Sequence, residues 1–335
     1  MRALRYAVPA ALLVLAGCSS DAGSGTPPDA DAPSTTESAT GSSTAAPAPA
    51  PDWQPVDGPV DRAVTRNARG TELTGATHRE TFLTETHSLV VEQEPEESEP
   101  ARAVLTDLES GKESVLDGDS EVPTTTGGTW ALGPGSLVHA TVAPDGSYCL
   151  ATVELDTLAA TRGWCAPQRH GFTGARITDA GTTLQTFDDA RPSCRTVGTV
   201  EGTEVVPFAD APACTAWDAL VLDSGPVWSV VRNERNIEQV DLFAQGPGGP
   251  GDVVELGVGT SGTLVGCGGA AYFVRDPQDA SDPARLVRWD GTSVEVVYES
   301  PAGPAFLETP RCGGDVLTLT AYAEGGDEQV SARVR

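Results

Sequence analysis

The residues of this 335-residue sequence with the clearest capacity for chemistry are its seven cysteines. Six of them lie in the second part of the chain, at Cys149, Cys165, Cys194, Cys214, Cys267 and Cys312. The smallest gap between neighbours is 16 residues, whereas zinc sites are built from closely spaced Cys or Cys/His pairs. An even number of widely spaced cysteines is typical of disulfides in an exported chain. The sequence therefore predicts three disulfides and no metal site.

The seventh cysteine ends the tetrad Leu15-Ala16-Gly17-Cys18, which follows Arg2, Arg5 and an apolar run over residues 6–16. That run is too short to span a bilayer and has the layout of a secretory signal. The tetrad resembles the lipobox of bacterial lipoproteins. The resemblance implies cleavage before Cys18, a diacylglyceryl group on its sulfur and acylation, as with palmitate, of its new amino group. An ordinary signal peptide with a chance cysteine is the alternative.

On that resemblance, residues 1–17 are a lipoprotein signal peptide and membrane lipid is the partner of Cys18. Two or three acyl chains are enough for stable anchoring, whereas one chain is not. The expected location is the extracytoplasmic face of the cell membrane, with the protein lipid-anchored at the cell surface.

Removal of residues 1–17 takes away two arginines and no acid, so the formal charge changes from -27 to -29. Nucleic acid is therefore not an expected partner, because binding to phosphates relies on Lys and Arg. Residues 18–52 are rich in Ala, Ser, Pro and Thr and contain no aliphatic or aromatic residue larger than alanine or proline. Such a segment cannot form a core, and we expect a disordered tether with a span of roughly 30 Å.

Residues 53–335 have a different pattern, with short β-branched apolar runs between Gly, Pro, Asp and Ser and no helical periodicity. This pattern predicts an all-β domain. The runs expected to be strands are 88–92, 103–108, 137–142, 149–155, 203–208, 227–231, 253–256, 270–274, 286–289, 294–298 and 316–322.

The same region contains weak internal repeats. The run 104–111 is repeated as 151–158, and similar hairpins centre near Gly198, Asp241 and Trp289, with spacings of 47, 44, 43 and 48 residues. Cys267-Gly268-Gly269 is repeated as Cys312-Gly313-Gly314 after 45 residues. A unit of this length is the size of a four-stranded propeller blade.

Residues 53–335 thus resemble the β-propellers of bacterial lipoproteins, and their length suits six blades of about 47 residues better than seven. A pair of β-sandwiches is the alternative architecture. The blade alignment implies the pairs Cys149–Cys165, Cys194–Cys214 and Cys267–Cys312, the last of which joins neighbouring blades. It also leaves the final blade without its fourth strand, which we expect the segment 60–73 to supply.

Motifs for catalysis are absent from the sequence. It has no Gly-x-Ser-x-Gly elbow and no phosphate loop, and its four histidines, His78, His87, His139 and His170, are scattered. The acidic stretch 92–99 lacks the alternating ligands and the glycine turn of a calcium loop, so we expect a solvated hairpin loop there.

One stretch, Asp179-Ala180-Gly181-Thr182-Thr183-Leu184, resembles the Asp-box hairpin of sialidase-like propellers, although Ile177 and Leu184 depart from that motif. Gly127-Gly128-Thr129-Trp130 matches its second half, with Thr125 in place of the aspartate. In that family the box is a structural turn and not the active site.

The sequence therefore favours a non-catalytic binding or scaffold module of the cell envelope, without cofactor or metal, whose partner is an extracytoplasmic protein or glycan. The alternative is a glycan-directed hydrolase or lyase on a sialidase-like propeller, with a site assembled from single residues on separate blades.

Overall fold

A computed structural model describes residues 50–58, 60, 63–93, 99–233, 236–301 and 303–334. The predicted signal peptide, Cys18 and most of the predicted tether lie outside these residues, as does the centre of the acidic stretch at 94–98. The described residues contain strands but no α-helix. Consequently no helix long and apolar enough to cross a membrane is found in this part of the chain.

The strands fall into six consecutive groups after an N-terminal region. The N-terminal strands are β1 (Gln54–Pro55), β2 (Val64–Arg66) and β3 (Glu72–Thr74). The next three groups are β4 (Arg79–Leu83), β5 (His87–Glu92), β6 (Arg102–Asp107) and β7 (Glu113–Leu116); β8 (Trp130–Leu132), β9 (Ser136–Val142), β10 (Tyr148–Glu154) and β11 (Ala160–Cys165); β12 (His170–Thr178), β13 (Gly181–Asp188), β14 (Arg191–Glu201) and β15 (Glu204–Pro207). The last three are β16 (Ala216–Leu222), β17 (Gly225–Asn233), β18 (Asn236–Gln245) and β19 (Val253–Thr260); β20 (Val265–Cys267), β21 (Ala270–Arg275), β22 (Arg285–Trp289) and β23 (Val294–Glu299); β24 (Ala305–Leu307), β25 (Arg311–Gly313), β26 (Val316–Ala323) and β27 (Glu328–Arg333).

These strands form a six-bladed β-propeller. The four strands of each of the first five groups pair antiparallel in chain order, and we number these groups blades 1 to 5. In addition, β4 of blade 1 pairs in parallel with β25 of blade 6 at Leu83 and Gly313. Blade 6 has the order β25-β26-β27-β1, and β24 pairs with the far end of β26. The first strands of the blades, β4, β8, β12, β16, β20 and β25, contact one another in a closed cycle and surround a central channel. The all-β propeller prediction is confirmed, and the five repeated hairpins fall at the third strands of blades 1 to 5.

Ring closure uses the N-terminus, but not through the predicted segment. The fourth strand of blade 6 is β1, in which Gln54 pairs with Ser331 and Pro55 with Val330. The prediction of segment 60–73 is wrong, because β2 and β3 pair with each other as a separate hairpin. This hairpin contacts β4, β25 and β26 and therefore lies against the seam between blades 6 and 1.

Five apolar clusters hold the blades together. Each lies between two consecutive blades, from the 1–2 interface centred on Leu89, Leu105 and Leu137 to the 5–6 interface centred on Leu286 and Leu317. A fully buried side chain of this size contributes about 1.5–3 kcal/mol. Packing of neighbouring blades is thus the main source of stability.

The seam between blades 6 and 1 differs from these five interfaces. Alternation along β26 points Leu317 and Leu319 toward blade 5, so Thr318 and Thr320 lie on the opposite face. None of the apolar clusters among the described residues lies at this seam. Closure therefore depends on strand pairing and on the β2–β3 hairpin more than on apolar packing.

The six cysteines of the domain form the three disulfides expected from the sequence. Cys149 and Cys165 lie directly opposite each other on β10 and β11. Cys267 and Cys312 lie on β20 and β25, with their Cα atoms 5.7 Å apart. That bond joins the first strands of blades 5 and 6 beside the channel.

Candidate ligand site in the propeller channel

The channel contains two cavities that share lining residues and open at opposite ends of the first strands. One, of about 480 Å³, is lined by the turns that lead from the first to the second strand of every blade. We call it the acidic mouth, after Glu85, Asp179, Asp223 and Asp315. The other, of about 540 Å³, is lined by first-strand residues. We call it the arginine mouth, after Arg176 and Arg311.

Arg311 lines the arginine mouth with a guanidinium group that is not held by neighbouring side chains of the described chain. It begins β25, directly before Cys312, and its side chain is half-buried. In the part of the chain that the structure describes, its guanidinium has neither a hydrogen bond nor an ion pair. Burial lowers the pKa of Arg311, and Glu308 and Glu80 partly offset this effect. A guanidinium left without a partner inside a cavity is suited to bind an anion.

Arg176 supplies a second guanidinium, from the first strand of blade 3. Its Nε donates to the carbonyl oxygen of Leu264, 3.4 Å away, and its Nη1 donates to that of Ala175 at the same distance. The first contact reaches the connection that leads into blade 5 and so fixes the side chain across the channel. No carboxylate pairs directly with Arg176 within the described residues.

Glu80, on the first strand of blade 1, lines the arginine mouth and is the acid there that is suited to transfer a proton. Its surface is open to the channel, but the surrounding protein displaces much of the bulk water. Burial therefore raises the pKa of Glu80, although Arg311 and Arg176 act in the opposite direction. The carboxyl group thus faces two guanidinium charges without forming a direct ion pair with either.

Asp218, at 4% exposure, is the second acid with a raised pKa near the channel. Its burial is the largest cause, opposed by Arg176 and by hydrogen bonds to its Oδ2 from the backbone of Gly262 (2.8 Å) and the hydroxyl of Ser229 (3.1 Å). The bond from Gly262 ties the first strand of blade 4 to the connection between blades 4 and 5, and the bond from Ser229 joins the first two strands of blade 4. Asp218 is therefore a structural anchor beside the site and does not line either mouth.

Two buried hydroxyl groups complete the arginine mouth. Thr65 and Thr81 are 1% and 6% exposed, and both line the cavity. Their Oγ1 atoms lack a hydrogen-bond partner among the described residues. Buried polar atoms are normally satisfied, but both Oγ1 atoms are almost inaccessible to solvent, so a bound molecule could reach them only if the cavity wall moved.

The tyrosines are not arranged for catalysis in the channel. None of Tyr148, Tyr272, Tyr298 and Tyr322, the four in the described part of the chain, lines either mouth. Tyr298 donates to Glu328, but this pair lies on outer strands of blades 5 and 6. Burial and then Glu328 raise the pKa of Tyr298, which makes its phenol a poorer nucleophile.

The structure does not bring the four histidines together. His78 and His87 lie at opposite ends of the β4–β5 hairpin, and His170 begins β12. His139 is fully buried and stacks on Trp130, and burial lowers its pKa. No group of three or more metal-ligating side chains occurs within the described ranges.

The Asp-box-like stretch does form a turn, since Asp179 and Ala180 connect the first and second strands of blade 3. The matching stretch Gly127-Gly128-Thr129-Trp130 instead leads into β8 and contains no hairpin turn. The turn at Asp179 contributes to the acidic mouth and not to the arginine mouth.

Sequence reasoning missed Glu80, Arg176 and Arg311 because they come from three different blades. One local signal was available for Arg311. In the repeated Cys-Gly-Gly turns, Arg311 stands where the other copy has Gly266. A charged residue at a repeat position that needs none is the kind of departure that marks a functional residue.

Comparison with known proteins agrees with the fold. No protein-family model matches the sequence, and no curated protein matches it. The chain resembles the β-propeller domain of the Trilobed protease from Pyrococcus furiosus at 9% identity and a TM-score of 0.52, covering 81% of this chain and 86% of that one. It resembles an oligogalacturonate lyase from Vibrio parahaemolyticus at 11% identity and a TM-score of 0.50, covering 85% and 97%.

A Trypanosoma rangeli sialidase matches at 10% identity and a TM-score of 0.43, and the chain covers 60% of its length. At such low identities these likenesses describe the fold alone. The protein is a six-bladed β-propeller.

Proposed function

We propose that the propeller binds a carboxylate-bearing saccharide at the arginine mouth. The observation that carries this proposal is the pair of guanidinium groups, Arg311 and Arg176, that line the cavity and form no direct ion pair with a carboxylate among the described residues. A volume of about 540 Å³ lies within the usual range of small-molecule sites.

Calorimetric titration tests this proposal with two acidic probes, trigalacturonate and 3′-sialyllactose, and with lactose as a neutral control. Arg311→Ala is expected to weaken binding of the acid about ten- to hundredfold, the value of one charge-assisted hydrogen bond. Arg162→Ala, at an exposed position on β11, is the matched control. Equal affinity of Arg311→Ala and the parent protein for every acidic probe would contradict the proposal.

A second candidate function is turnover of that saccharide, as a glycan-directed lyase or hydrolase. The specific observation in its favour is the raised pKa of Glu80 beside Arg311 and Arg176. In a lyase reaction the arginines would neutralise the sugar carboxylate, and Glu80 would take the proton from the adjacent carbon. The bond from the next carbon to the glycosidic oxygen breaks, that oxygen gains a proton and a carbon–carbon double bond forms.

The two reactions leave different products. Elimination gives an unsaturated sugar acid that absorbs ultraviolet light. Hydrolysis adds water across the glycosidic bond, and its products lack this absorbance. Glu80→Gln is expected to abolish either reaction and to leave binding largely intact. Absence of both products from the two acidic probes, with binding retained, would leave the protein a non-catalytic binding module.

The location of this site is part of the proposal. We infer that the mature chain begins at acylated Cys18, so that the propeller is tethered to the outer face of the cell membrane. Support comes from the lipobox-like tetrad 15–18 alone. Mass spectrometry of the mature N-terminus tests it, since Cys18→Ser should remove the acyl groups, and an unacylated N-terminus at another residue in the parent protein would contradict it.

A further inference from the structure

The first strand of blade 6 is interrupted just outside the arginine mouth. The chain pairs with β26 as β24, keeps one further backbone hydrogen bond from Glu308 to Thr320, loses its pairing over residues 309–310, and pairs again as β25. Thr309, Pro310 and Arg311 line the arginine mouth, whereas Gly314 and Asp315 line the acidic mouth. Because β24 precedes Thr309, it lies beyond the arginine mouth and not beyond the acidic one.

Strand β24 presents an aromatic face to solvent. Phe306 is 53% exposed, the largest value among the exposed large apolar residues of the described chain. Its ring stacks on Tyr322, with centroids 4.7 Å apart and planes at 22°. Single exposed apolar residues are common, but this one is held in a fixed orientation by a second ring.

Tyr322 is held in turn by its hydroxyl group, which has two acceptors within hydrogen-bond distance. Its hydroxyl donates to the carbonyl oxygen of Val60 (3.0 Å) or to Oε1 of Glu308 (3.1 Å), which both lie within reach. Glu308 thereby places a carboxylate beside the ring pair. An exposed aromatic face flanked by hydrogen-bond acceptors matches a sugar ring, which has an apolar C–H face and hydroxyl donors at its edge.

Phe306 and Arg311 are five positions apart, so their Cα atoms are separated by at most about 18 Å. Different units of one three-unit oligosaccharide can therefore contact both residues. We propose that Phe306 and Tyr322 form a second sugar subsite, which binds another unit of the oligosaccharide whose carboxylate meets Arg311. This inference rests on the proposed function and adds that the ligand is an oligosaccharide and not a single sugar acid.

Titration calorimetry with each acid as a free sugar and in its three-unit form provides the test. The pairs are galacturonic acid with trigalacturonate, and N-acetylneuraminic acid with 3′-sialyllactose. For whichever three-unit ligand the parent protein binds, Phe306→Ala is expected to weaken the affinity about tenfold, the equivalent of burying part of one aromatic ring. The affinity for the corresponding free sugar acid should not change. Tyr148→Ala, which removes a ring of 51% exposure on β10, should change neither.

Phe306→Leu keeps an apolar contact with Tyr322 and removes the flat face, so it should reproduce the loss if Phe306→Ala does not fold. Phe306→Trp should retain affinity for the three-unit ligand. If binding of a three-unit ligand depends on Arg311 but is unchanged in Phe306→Ala and Phe306→Leu, this inference is overturned and the proposed function stands. An equal loss of affinity of Phe306→Ala for the free acid and for its three-unit form would also overturn this inference. Failure of every acid to bind the parent protein would overturn the proposed function as well.

Discussion

Gln54 pairs with Ser331, so two residues 277 positions apart lie side by side in blade 6. The strand that carries Gln54 is only two residues long, and its second residue is Pro55. Proline has no N–H to donate, which suits the outermost strand of a sheet. Nearby, Trp53 donates from Nε1 to the carbonyl oxygen of Val297 in blade 5, at 2.7 Å. A short N-terminal segment thus fastens the last two blades.

Removal of this segment should weaken the closed ring. A chain that starts at Val56 lacks β1 and the Trp53 contact, and we expect it to lose roughly 2–4 kcal/mol of unfolding free energy. Denaturant unfolding measures the difference from a chain that starts at residue 50. Coincident unfolding curves for the two chains would show that β1 does not close the propeller.

Close packing of the β2–β3 hairpin requires a glycine in blade 6. A Cβ atom at Gly313 would overlap the carbonyl oxygen of Arg66 in β2. Gly313→Ala should therefore destabilise the protein by about 1–3 kcal/mol. Gly325→Ala is the control, because nothing lies within 4 Å of its added Cβ, and thermal unfolding that ranks the two variants equally would contradict the hairpin's role at the seam.

The disulfide beside the channel should contribute more than the hairpin disulfide of blade 2. Cys267–Cys312 has a sequence separation of 45 residues and Cys149–Cys165 one of 16. Replacement of both cysteines by serine should cost about 4 kcal/mol for the first pair and about 3 kcal/mol for the second, because longer loops restrict the unfolded chain more. The reverse order in denaturant unfolding would be inconsistent with stabilisation through loop closure.

Asp218 should make the protein less stable as the pH rises. Its folded pKa is raised by burial, so the folded state binds a proton more tightly than the unfolded state does. The resulting stability is fully present below the unfolded pKa of about 3.9 and is lost as the pH rises through the folded pKa.

Asp218→Asn keeps an oxygen acceptor for Gly262 and Ser229 but removes the titration. Its unfolding free energy should therefore rise relative to the parent protein between pH 4 and pH 7, by about 1.4 kcal/mol per unit of pKa shift. Asp223→Asn, at an exposed position, is the control. A parent-to-variant difference that stays constant with pH would refute the assignment.

The regular part of the fold was predictable from sequence because it repeats. Third strands such as Ala103–Leu105 and Ala151–Val153 carry the same alternation, and the turn after Cys267 follows from its two glycines. Gly268 and Gly269 both have positive φ, which a two-residue hairpin turn of this type needs. Local pattern and global fold agree at these positions.

Ring closure and the ligand site were not predictable in the same way. Gln54–Pro55 is too short to have a periodicity, so the sequence favours the longer segment 60–73, which the structure shows to be a separate hairpin. Glu80, Arg176 and Arg311 lie on separate blades, and only the closed ring brings their charges near one another. Nothing in the local sequence around Arg176 or Glu80 distinguishes them from surface residues.

The availability of two channel arginines to an anion is the central claim, and arginine side-chain NMR measures it directly. With ¹⁵N-labelled arginine, the Nε–H resonances of Arg176 and Arg311 are assigned from their absence in Arg176→Lys and Arg311→Lys. Addition of whichever acidic trisaccharide binds is predicted to shift these two resonances, and lactose is predicted to shift neither. A saturable titration that leaves both resonances in place would contradict the account.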